Sequence, residues 1–125
     1  MVDEDDVIAQ YLGRLGGSSA GARSRRMKRD TFELQVSLAG SRGLVIARVK
    51  EVLADLGEVV EVDEAASRVI GVIGSGVANM NPAVVTVVVG DGGSVTVRGV
   101  AAEGLIKQHA GEKAAKRIAG ELAQS

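Results

Sequence analysis

The sequence predicts an α+β fold: a five-stranded antiparallel sheet with two helices on one face, in the order β-α-β-β-β-β-α, preceded by a short N-terminal helix. Three observations lead there. From Thr31 apolar and polar residues alternate, the period of a strand with one buried and one wet face. The middle of the chain holds β-branched runs broken by turn-forming residues, in "EVVEVDEAASRVIGVIG" and "AVVTVVVGDGGSVTVRGV". One segment before those runs and one after them carry apolar residues at helical spacing.

Residues 1–17 read as a short amphipathic helix over 3–16. Asp3, Glu4, Asp5 and Asp6 fall in its first turn, where the helix dipole favours acids, and Ile8, Leu12 and Leu15 share one face before Gly16-Gly17 ends it. Residues 18–30, "SSAGARSRRMKRD", have almost nothing to bury and read as a basic linker. A single α+β domain fills 31–124. In its first strand Phe32, Leu34, Val36 and Leu38 alternate with Glu33, Gln35 and Ser37.

Ser41 is placed to cap the following helix, in which Val45, Val49, Val52, Leu53 and Leu56 recur at helical spacing and Gly57 is the C′ residue. Two strands then flank a turn at Asp63 to Ser67, and a tight Asp91-Gly92-Gly93 turn joins the last two. Ala114, Ile118 and Leu122 at i, i+4 and i+8 define a closing helix, whose start is left open by Gly104 and Gly111. Neither domain helix links parallel strands in a repeated unit, so both fall on one face of the sheet. This element order resembles one half of the TATA-box-binding-protein fold and, more loosely, the helix-grip fold of small-ligand carriers.

Composition narrows the chemistry. The 46% hydrophobic content is almost wholly Val, Ala, Leu and Ile, with Phe32 and Tyr11 the only aromatics and no Trp, so there is little to stack on a base or sugar ring. No cysteine means no disulfide, thiolate zinc site or thiol nucleophile. His109 is the single histidine; a surface or helix-end role is expected for it, since Glu103 and Glu112 are merely near it in sequence. Asp91 is the acid that a tight hairpin turn demands. No enzymatic activity and no cofactor are therefore expected.

The glycines of "RVIGVIGSGVANMNPAVVTVVVG" invite comparison with a dinucleotide-binding loop. That loop wants glycine at its sixth position, where this chain has Asn79, and a helix afterwards, where it has Pro82 and a β-branched run. "GSGVANMNP" is instead expected to be a wide connection between antiparallel strands.

The net charge of −1 conceals an uneven distribution, with Arg23, Arg25, Arg26, Lys28 and Arg29 concentrating positive charge ahead of an acidic domain. These five cations are candidate phosphate contacts, but without interleaved aromatics nucleic-acid binding is a third-ranked reading. The N-terminal acids do not form a secretory signal, and no apolar run approaches the roughly 20 residues that span a bilayer. A cytoplasmic location without membrane insertion is expected.

The most informative signal lies in two strands that are apolar on both faces. Val85, Val87 and Val89 face one way and Val84, Thr86 and Val88 the other, while Val69 and Ile73 oppose Ile70 and Val72. Two helices on one face leave Ile70, Val72, Val84, Thr86 and Val88 to be covered by something else: a partner subunit, the N-terminal helix, or a hydrophobic ligand. The first expectation is a non-enzymatic binding or self-association module using this face. The alternative is a carrier of a small hydrophobic ligand in a helix-grip-like cavity.

Overall fold

In the computed structural model, which describes residues 28–74, 82–103 and 109–124, five antiparallel strands form an open sheet with two helices. The elements are β1 (Lys28–Ser37), α1 (Arg42–Leu56), β2 (Glu58–Asp63), β3 (Arg68–Ile73), β4 (Ala83–Val89), β5 (Ser94–Glu103) and α2 (Ala110–Ala123). A single 3₁₀ turn at Asp91–Gly93 joins β4 to β5. The spatial order is β1-β5-β4-β3-β2, so the first strand lies at one edge beside the last strand and β2 forms the other edge. The α+β class, the five antiparallel strands and the two helices agree with the sequence pattern. The helix expected at 3–16 and the linker as far as Met27 lie outside the described residues.

β1 begins at Lys28, three residues before the alternation that marks it in the sequence. Its ladder to β5 continues past Thr31↔Val100 to Lys28↔Glu103, because backbone pairing does not depend on the polar character of the side chains it carries. Lys28, Arg29 and Asp30 therefore belong to the sheet rather than to the linker. The loop 75–81 also lies outside the described residues. The strands that it joins are antiparallel neighbours, Arg68↔Val88 through Ile73↔Ala83, which is the arrangement expected of a wide connection and not of a dinucleotide-binding β-α-β unit.

Both helices bury their apolar sides against one sheet face. α1 contributes Val45, Val49, Val52 and Leu53, and α2 contributes Ala114, Ala115, Ile118 and Leu122, to a core shared with Val69, Ile73, Val85, Val87, Val95 and Val97. Ser41 caps α1 as its position predicts, its Oγ accepting the Leu44 N–H at 3.3 Å. Gly57 differs from expectation. It is the C-cap itself, with its N–H on the Leu53 carbonyl at 2.9 Å and an extended φ of −170°, so its need for glycine is steric. A Cβ there would run into the Val72 carbonyl of β3.

The seat of α2 depends on a second close approach. Any Cβ at Gly99 of β5 would collide with the Gly111 carbonyl, and one at Gly111 would collide with the Asp30 carbonyl, so the first turn of the helix lies directly on the sheet backbone. One N–H of its first turn is met from β1. The Asp30 carboxylate accepts the Glu112 N–H at 3.0 Å and stands 3.5 Å from His109 Nδ1, while His109, in the left-handed region at φ +54°, offers no side-chain cap of its own.

Candidate functional site

The candidate site is the sheet face turned away from the helices, and strand register assembles it from all five strands. Reading from β1 to β2, one row is Gln35, Thr96, Val88, Arg68 and Asp63; the next is Glu33, Arg98, Thr86, Ile70 and Glu61. A third row is Thr31, Val100, Val84, Val72 and Glu58. The three inner strands are apolar at one end of this face, between Thr31 and Glu58 on the edge strands, and the other end carries charge of both signs.

Local chemistry explains the charged end. The β2–β3 register shifts between Val59↔Gly71 and Glu61↔Ile70, leaving Val60 as the extra residue of a bulge. An unbulged strand would alternate Glu58, Val60 and Val62 on this face. The bulge instead brings Glu61 and Asp63 onto it beside Glu58. Arg68 lies between them with its side chain only 10% exposed, its guanidinium 3.4 Å from Asp63 Oδ2 and 3.6 Å from Glu61 Oε2. These are long contacts, and Arg68 Nε and Glu61 Oε2 are buried without a hydrogen-bond partner. Asp63 also opens the β2–β3 turn, accepting the Ala66 N–H at 3.1 Å.

The apolar end is largely closed to solvent. Ile70, Val72 and Val84 are 2%, 1% and 0% exposed, so they do not form an open surface. Their burial does not come from α1 or α2, whose shared core omits them and Val100. Thr86 is half-buried, and Val88, at 38% exposed, is the predicted interaction residue that meets solvent most fully. It sits among Thr96, Arg98 and Arg68. The accessible part of the face is therefore polar and charged rather than a continuous apolar sheet.

The remaining candidates separate. Lys28 and Arg29 fall in β1, while Arg23, Arg25 and Arg26 lie outside the described residues. His109 is exposed and serves the α2 terminus with Asp30, a partner distant in sequence and different from the neighbouring glutamates. Asp91 forms an ion pair with Arg42 across a cleft of about 540 Å³ between the β1–α1 loop and the β4–β5 turn. The two charges at that cleft neutralise one another, and the Leu44 N–H of the adjacent helix start is taken by Ser41. Among the described residues, no group of three acidic or histidine side chains is placed to hold a metal ion, and no helix is long and apolar enough to cross a membrane. Compared with protein-family models, curated proteins and solved structures, the chain matches none of them.

Proposed function

We propose that this chain is a non-enzymatic binding module that engages a protein partner, in the first instance a second copy of itself, through the charged end of the second sheet face. The observation that supports this is the placement of an exposed Val88 among Thr86, Thr96, Arg98 and the Arg68–Asp63–Glu61 cluster, all on strands of one sheet. Small apolar groups set in polar, two-signed surroundings are what modest protein interfaces use. Positive and negative groups on one face also allow that face to complement its own image about a two-fold axis.

Native mass spectrometry of the full chain tests the reading. An assembly of bare protein, weakened by Arg98→Glu and by added salt, is the expected result. A bare monomer at every accessible concentration would remove self-association. A monomer carrying mass that is lost on denaturation would put the small-ligand carrier first, for which the apolar strip of Ile70, Val72, Val84 and Val100 supplies a suitable wall.

A further inference from the structure

We infer that the apolar half of the second sheet face is the seat of this chain's own N-terminal segment, with Ile8, Leu12 and Leu15 lying over Val72, Val84 and Val100. Three observations carry the inference. The first is burial: Val72, Val84 and Val100 are 1%, 0% and 3% exposed although both described helices pack on the opposite face. Apolar groups so fully removed from water need a cover, and neither α1 nor α2 supplies it.

The second observation is where the chain enters the sheet. β1 begins at Lys28, opposite Glu103, and reaches Thr31↔Val100 three residues later. The preceding residues thus join the sheet at its apolar end and at its edge. At about 3.4 Å per residue, the linker 18–27 reaches at most roughly 34 Å, whereas the four strand spacings from β1 to β2 amount to about 19 Å. The tether can deliver the segment to any strand.

The third is fit. A helix over 3–16 is about 21 Å long, close to the width of the sheet, and the rise from Ile8 to Leu15 is about 10 Å. Val100, Val84 and Val72 are register neighbours on three adjacent strands, a span of about 10 Å as well. The apolar stripe is therefore as long as the patch. The acids Asp3 to Asp6 precede the stripe in the sequence and are not part of it.

This placement is independent of whether copies of the protein associate, and one labelling experiment separates the two. The chain has no cysteine, so Gln10→Cys, on the polar side of the segment, gives a single site for a nitroxide. In the first sample the nitroxide and methyl isotopes share one chain, diluted with unlabelled protein. In the second, isotope-labelled chains without the nitroxide are mixed with nitroxide-bearing chains without isotopes.

The expected result is a several-fold loss of Val72, Val84 and Val100 methyl intensity in the first sample only, reversed by reducing the nitroxide. The loss should be smaller at Val85, on the far face, and should disappear when Leu12→Ser and Leu15→Ser are added. Loss confined to the second sample would overturn the inference and make a second copy the cover. Loss in neither would also overturn it, leaving the connections at 75–81 and 104–108 to bury the strip. If Gln10→Cys does not fold, Ser18→Cys carries the same label from the linker.

Discussion

The two faces of this sheet both exclude water at their centre, yet they are built on different principles. Against the helices, side chains from α1 and α2 interdigitate with Val69, Val85, Val87 and Val97, and the backbones at Gly99 and Gly111 touch. The centre of that face is packed within the domain, and its rim, at Val62 of β2, opens to solvent. The opposite face is apolar at one end and charged at the other, and its apolar members Ile70, Val72, Val84 and Val100 lie outside the helical core. The first face is completed by strands and their neighbouring helices, whereas the buried apolar members of the second owe nothing to α1 or α2.

Substitutions can break this contrast. The largest effect is expected at Ile118, fully buried where α2 meets the sheet: Ile118→Ala should destabilise by about 2–5 kcal/mol in urea unfolding. Gly99→Ala comes next, because the new methyl meets the Gly111 carbonyl and forces α2 outward; about 1–3 kcal/mol should be lost, read as a fall in thermal midpoint.

A matched pair then sharpens the comparison. Val84 and Val85 are adjacent on β4, both 0% exposed, and face opposite ways. Val85→Ala should cost about 2 kcal/mol and Val84→Ala about half as much, and only the Val84 penalty should shrink further when residues 1–17 are deleted. Equal penalties that are indifferent to the deletion would show the two faces to be equally self-contained.

Smaller effects probe the borders of each face. Asp30→Ala removes the acceptor of the Glu112 N–H and should cost about 1 kcal/mol, with faster amide exchange confined to the first turn of α2. Val88→Ser should leave stability within about 0.5 kcal/mol, since the side chain is already partly solvated, while lowering the fraction of assembled protein in native mass spectra. A large stability loss at Val88 would instead place it in the packed interior.

Much of the fold was legible because its signals are local. The alternation from Phe32 to Leu38, the cap at Ser41 and the Asp91-Gly92-Gly93 turn each follow from a few adjacent residues. The close seating of α2 was not, because Gly99 and Gly111 acquire meaning only when β5 and the helix are brought together. Of the candidate site, the parity of β3 and β4 places Ile70, Val72, Val84, Thr86 and Val88 on one face. The same parity, extended through β3 and β5, places Arg68 and Arg98 with them. Glu61 and Asp63 could not be phased this way, since the bulge at Val60 exchanges the two sides of β2 midway and composition does not announce it.

The carboxylate that receives the start of α2 also bears on how the chain becomes a protein. Asp30 and the Glu112 amide are 82 positions apart, and β1 pairs with β5, whose residues are synthesised after those of every other strand. A chain emerging from the ribosome can close the β2–β3–β4 meander early, but its first strand must wait with an unpaired edge until the last one arrives. Such delayed, long-range closure is the slow kind and the one most open to capture by a neighbouring nascent chain.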